Sequence, residues 1–80
     1  MTEEMLLEIL KEYYSQGDDY CFGETETYYY AFYVNDYPMQ HGYGIEIRYY
    51  KQNKKLRAYR NGYRYRFAES QLNKILCKKI

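Results

Sequence analysis

The chain has no tryptophan, a single valine (Val34), a single histidine (His41) and a single proline (Pro38) among its 80 residues. It carries two cysteines, and its longest apolar runs fall far short of the roughly 20 residues that cross a bilayer as a helix. Each scarcity narrows the reading. With no long apolar run, and with acids in "MTEEMLLEIL" where a secretory leader carries basic residues, no membrane partner is expected and the protein reads as cytoplasmic. Cys21 and Cys77 lie far apart and fit no C-x-x-C or other ligand spacing. Reduced, mostly buried thiols are expected, with a disulfide as the alternative.

Catalytic residues are equally scarce. His41 sits among turn formers with no placeable nucleophile or metal partner, and Cys21 has no placed histidine. "HGYG" lacks the lysine and the following helix of a phosphate loop. Glu46 stands among arginines, which suits an ion pair better than general acid work. The expectation is therefore a non-enzymatic protein with no metal and no cofactor.

Eighty residues form one domain, 1–80, near the lower limit at which a hydrophobic core holds without staples. A net stability of roughly 3–5 kcal/mol is expected of such a chain. The apolar palette is dominated instead by 14 tyrosines. Part of that abundance fits an AT-rich bacterial or viral genome, but codon bias does not decide where the tyrosines fall.

Charge is segregated along the chain behind a formal net of +1. Residues 1–40 hold nine acids against Lys11 alone, while residues 41–80 hold five arginines and six lysines against Glu46 and Glu69. Such asymmetry points to macromolecular partners, unless the two halves neutralise each other across the fold. The N-terminal acids could imitate a phosphate backbone, but a solvated helix face is the preferred reading.

Residues 2–14 read as an amphipathic helix, with Thr2 as N-cap, Glu3 and Glu4 in the first turn, and Met5, Leu6, Ile9, Leu10 and Tyr13 on one side. Gly17 should end it, followed by a turn at Asp18 and Asp19 and an extended piece at Tyr20 to Phe22. From Thr27 the period becomes two. Tyr28, Tyr30, Phe32 and Val34 then point one way, and Tyr29, Ala31 and Tyr33 the other. A loop of turn formers from Asn35 to Gly42 leads to a strand over 43–50, in which Tyr43, Ile45, Ile47 and Tyr49 should face the core.

A four-residue turn at "KQNK" returns the chain and pairs Tyr50 with Lys55, Tyr49 with Leu56 and Ile47 with Ala58. Asn61-Gly62 between alternating strands predicts a type I′ hairpin, which pairs Arg60 with Tyr63, Tyr59 with Arg64, Ala58 with Tyr65, Arg57 with Arg66 and Leu56 with Phe67. Residues 68–79 return to helical spacing, with Ala68, Leu72, Ile75 and Leu76 apolar and Lys74, Lys78 and Lys79 outward. The expected architecture is α+β: an N-terminal helix, a four-stranded antiparallel β-meander and a C-terminal helix, both helices on one sheet face.

That arrangement leaves the other face open. Assigned to it are Arg48, Arg57, Arg64 and Arg66, with Tyr29, Tyr33, Tyr50 and Tyr59 beside them and Glu46 as the one acid. Tyrosine and arginine are the side chains enriched at interface hot spots. The face is read as a docking surface for a host protein or nucleoprotein complex. Inhibitors of the anti-defence type, carried by phages and mobile elements, share this size and lack of catalytic machinery. The alternative is an RNA or single-stranded DNA binding module using the same residues, with arginines on phosphates and tyrosines stacked on bases. A homodimer is a third arrangement, opposed by arginine repulsion across a two-fold axis unless acids intervene.

Overall fold

The computed structural model describes residues 1–15, 19–34 and 44–79. The expected turn at Gly17 and Asp18, the loop with Pro38 and His41, and Tyr43 lie outside these residues. Helix α1, Glu3–Tyr13, starts where Thr2 is extended and its Oγ1 accepts the Met5 N–H at 3.1 Å, satisfying a donor that the helix leaves unpaired. Five strands follow in sequence order: β1 (Tyr20–Glu24), β2 (Tyr28–Tyr33), β3 (Glu46–Tyr50), β4 (Lys55–Arg60) and β5 (Tyr63–Arg64), all antiparallel to their neighbours. Helix α2, Arg66–Lys79, closes the chain. The fold is α+β as expected, with five strands in place of four. The extended piece at Tyr20 is a full strand paired along its length with β2.

Both helices lie on one face of the sheet. Leu6, Ile9 and Leu10 of α1 and Ala68, Leu72 and Leu76 of α2 form one buried cluster with Ala31, Tyr33, Ile45, Ile47, Leu56 and Ala58. The "KQNK" register is the expected one, Tyr50 opposite Lys55 and Ile47 opposite Ala58, with Lys54 at φ 58° closing the turn. The hairpin register also matches at Arg60–Tyr63 and Tyr59–Arg64. Asn61 and Gly62 take φ 53° and 81°, the positive values that a type I′ turn requires. Gly62→Ala meets no steric contact, yet it forces a Cβ into that conformation. A loss of about 1–2 kcal/mol is expected, read as a lower urea midpoint with an unchanged slope.

The hairpin stops earlier than its alternation suggested. Tyr65 N–H still donates to Ala58 C=O at 2.7 Å, but Arg66 and Phe67 are already helical, so the pairings Arg57–Arg66 and Leu56–Phe67 do not form. Phe67, which that register would have set beside Leu56 on the apolar face, is 78% exposed. Side chains of α2 take over the vacated edge of β4. Asn73 accepts the Leu56 N–H at 2.9 Å and donates to the Leu56 C=O at 3.0 Å, while Glu69 accepts the Ala58 N–H at 3.0 Å. The backbone groups that a longer β5 would have paired are thus satisfied by the helix, which also blunts the edge against foreign strands.

Candidate functional site: the open Tyr/Arg face

Cross-strand register decides which side chains share the face away from the helices. Tyr28 pairs with Tyr50, Tyr30 with Arg48, Arg48 with Arg57, Tyr50 with Lys55, Glu46 with Tyr59, and Tyr59 with Arg64. Of the residues assigned from sequence, Arg48, Arg57, Tyr50 and Tyr59 come together here. Tyr29 and Tyr33 do not. Both lie on the core face, where Tyr33 is fully buried and donates its hydroxyl to the Tyr14 carbonyl at 2.7 Å. Tyr28, Tyr30 and Phe32 take their place on that side of the sheet, the first two half-buried and Phe32 buried.

The phase of β2 was hard to read because every residue from Tyr28 to Tyr33 is aromatic or alanine, so alternation carries no contrast. The small residue is the usable signal. Ala31 lies opposite Ile47 in the buried cluster with Leu6, Ile9 and Leu10, and a ring at that position would hold α1 away from the sheet.

On the open face the rings form a row. Phe32 and Tyr30 stack at 6.3 Å between centroids, Tyr30 meets Tyr28 edge-on at 6.2 Å, and Tyr28 meets Tyr50 at 5.1 Å. Tyr50 and Tyr59 join through their hydroxyls at 3.1 Å. Gly23 makes the start of the row possible, since a Cβ there would run into the Tyr30 phenol. Arginines lie on the rings: Arg48 Cζ sits 4.0 Å from the Tyr59 centroid and 4.7 Å from that of Tyr28, and Arg57 Cζ sits 4.7 Å from that of Tyr50. An open hollow of about 660 Å³ borders the row, lined by Cys21, Tyr28, Tyr30, Phe32, Glu46 and Arg48.

Electrostatics divide the two opposed arginines. Burial works against the Arg48 charge, but its bonds to Glu46 and Tyr50 and the nearby Glu46 carboxylate outweigh it and raise its pKa further. Among the described residues no acid pairs with Arg57. The phenols split as well: the bond from Tyr50 and the charges of Arg57 and Arg48 hold Tyr59 below the usual tyrosine value against burial, whereas burial and the bond to Tyr59 push Tyr50 up.

Arg66 stands apart from this cluster, and Arg64, although opposite Tyr59, is engaged by Glu69. Arg66 is exposed in the first turn of α2, and Arg64 reaches back to Glu69 with bonds of 2.9 Å from both Nε and Nη2. Desolvation would raise the Glu69 pKa, but Arg64 and the Ala58 N–H prevail and hold it below the usual carboxylate range. A carboxylate with a depressed folded pKa stabilises the protein above its unfolded pKa, and that stability is lost as pH falls through the folded value. Between about pH 5 and pH 3 the wild type should therefore lose more thermal stability than Glu69→Gln, whose contacts do not titrate.

Both cysteines are free thiols; Cys21 is half-buried and Cys77 is exposed, the latter against the expectation of burial. Among the described residues no group of three or more histidine, cysteine or acidic side chains is placed to hold a metal, and no helix is long and apolar enough to cross a membrane. The acids of α1 are met in part by α2, with Lys79 Nζ 3.4 Å from Glu12 and 3.9 Å from Glu8. Comparison with protein-family models, with curated proteins and with solved structures finds no match to this chain. The fold and the open face therefore define the protein by architecture: a small α+β domain with one sheet face covered by helices and the other clad in tyrosine and arginine.

Proposed function

We propose that this is a non-enzymatic binding protein whose open face docks onto an anionic surface of a protein partner. The observation that carries the reading is the direct opposition of Arg48 and Arg57 across β3 and β4, where Glu46 pairs with Arg48 and, among the described residues, no acid pairs with Arg57. Opposed like charges disfavour the isolated fold by a few tenths to about one kcal/mol. A partner's carboxylates would relieve what the fold leaves unbalanced. Both guanidiniums are already laid on tyrosine rings, so little side-chain freedom remains to be lost on association. Pairing two copies through this face would set arginine against arginine, so the face suits a foreign surface. By analogy of size and chemistry, an inhibitor of a host protein carried by a phage or mobile element remains the preferred class.

Nucleic acid is the second reading, favoured by half-exposed tyrosines next to cations. The rings pack edge-on and face-on against one another, which leaves fewer free platforms for bases. One pair of experiments separates the two. Capture from host lysate should yield a discrete protein band with the wild type that is lost with Lys55→Glu/Arg57→Glu, a variant that spares the Arg64–Glu69 pair. Identical bands would remove the face as the interface. Labelled RNA and DNA titrated at about 50 and about 200 mM salt should show no tight, salt-sensitive binding. A steep loss between those concentrations, abolished in the same variant, would transfer the face to nucleic acid.

A further inference from the structure

Two phenols of the open face meet in a way that register alone does not supply. Glu46 lies opposite Tyr59 and Tyr50 opposite Lys55, so Tyr50 and Tyr59 stand at the two ends of the β3–β4 ladder, with Arg48 and Arg57 opposed between them. Their side chains lean over that interval. Arg48 rests on the Tyr59 ring and Arg57 on the Tyr50 ring, and the two hydroxyl oxygens come to 3.1 Å. Each hydroxyl satisfies the other. The contact also brings reactive positions together, because the carbon that bears each hydroxyl is flanked by two ortho carbons, where a phenoxyl radical carries its spin on carbon.

Oxidising equivalents have a route to this pair. Tyr30 lies 6.2 Å from Tyr28, and Tyr28 5.1 Å from Tyr50, between centroids, so an electron vacancy formed on any of these rings passes between close neighbours. Tyr28, Tyr30, Tyr50 and Tyr59 are half-buried, within reach of a diffusible oxidant. The chain has no tryptophan to hold the vacancy elsewhere. At the end of the row, the bond with Tyr50 and the charges of Arg57 and Arg48 hold the Tyr59 hydroxyl below the usual tyrosine value, which eases loss of its proton. Loss of an electron together with that proton leaves a neutral radical, so the guanidiniums over the rings do not oppose the product.

We infer that Tyr50 and Tyr59 form an oxidative cross-linking site, at which a one-electron oxidant of the peroxidase class converts the hydroxyl pair into a dityrosine bridge between β3 and β4. Hydrogen peroxide, acting through a haem peroxidase, takes one electron from each phenol, and each phenol releases its hydroxyl proton. The two radicals join through one ortho carbon of each ring, and the hydrogens on those carbons move to the oxygens, restoring both hydroxyls. In the net reaction two ortho C–H bonds break and one C–C bond forms, while the peroxide accepts two electrons and two protons and becomes two molecules of water. The bridge joins positions nine residues apart and fixes the two rings on which Arg48 and Arg57 rest. A cross-link constrains the unfolded chain, so the bridged form should unfold at a higher urea concentration than the unbridged one. The inference stands independently of what the open face binds.

The test treats the whole chain, in dilute solution, with hydrogen peroxide and a haem peroxidase. Tyr63 sets the competing expectation: it is 79% exposed, so exposure alone would join separate chains through Tyr63. The wild type should instead give a monomer lighter by two hydrogen atoms, with the blue fluorescence of dityrosine. Trypsin, cutting after Arg48, Lys51, Arg57 and Arg60, should then release residues 49–51 joined to residues 58–60. Tyr50→Phe and Tyr59→Phe each remove one hydroxyl and should lose the joined peptide while keeping the circular dichroism spectrum of the wild type. Tyr63→Phe should retain it. A wild type that yields no joined 49–51/58–60 peptide, or only chains coupled to one another, overturns the inference. A joined peptide that persists in Tyr50→Phe overturns it equally, since the bond would then lie on Tyr49.

Discussion

Replacing Asn73 by alanine is expected to destabilise the protein by about 2–4 kcal/mol. The side chain is the sole hydrogen-bonding partner, among the described residues, of both backbone groups on the outer edge of β4 at Leu56, and it also donates to the Glu69 carbonyl at 2.8 Å. Leu56 itself is 1% exposed, so its N–H and C=O would be left against a largely apolar surround with poor access to water. Each orphaned group costs on the order of 1–3 kcal/mol. Urea titration should show a lower midpoint at constant slope. Asn73→Asp, which keeps the acceptor and loses the donor, should fall between the wild type and alanine. A loss below about 0.5 kcal/mol for alanine would mean that water replaces the side chain, and that α2 does not seal the sheet.

Leu72→Ala should reach further, to about 2–5 kcal/mol, the range for truncating a fully buried leucine whose surroundings relax only in part. Leu72 has no exposed surface and stands in the cluster where α2 meets β4. Against a total of roughly 3–5 kcal/mol for a domain of this size, the variant should be substantially unfolded at 37 °C, visible as lost ellipticity and a flattened thermal transition. Phe67→Ala is the internal control. Phe67 lies five residues earlier on the same helix but is 78% exposed, so its truncation should stay within about 0.5 kcal/mol. Equal effects at the two positions would place the hairpin register of the sequence reading, not the helix, over residues 66 and 67.

Those two residues mark where local pattern stopped being informative. From Arg64 to Phe67 the chain alternates arginine and aromatic in a way that suits a strand, and the Asn61-Gly62 turn delivers it beside β4 in the right register. Nothing local says that Glu69 and Asn73 will satisfy β4 from the side. Once they do, continuing the strand gains no further hydrogen bonds, and starting the helix two residues early lets it reach the core. Strand β1 shows the reverse case: its few residues carry a weak signal, and pairing with β2 supplies the order that propensity does not.

The candidate site divides the same way. Arg48, Arg57, Tyr50 and Tyr59 were legible because two tight turns of known length fix the register of β3 against β4 and of β4 against β5, and alternation then assigns every side chain to a face. The linkage from β2 to β3 runs through residues 34–45, far too long to set a register, and β2 is aromatic on both sides. Its phase followed from tertiary packing, where the face bearing Ala31 admits α1 and sends Tyr28, Tyr30 and Phe32 outward.

By itself, then, the sequence determined what short-range chemistry can determine: the Thr2 cap, the two reversals at Lys54 and Gly62, the apolar stripes of both helices and the arginine cluster on β3 and β4. Only the tertiary structure decided which side of β2 is buried, where α2 begins and how each sheet edge ends. Those outcomes depend on contacts between residues distant in sequence, and a pattern read over a few residues has no knowledge of what the chain brings against it.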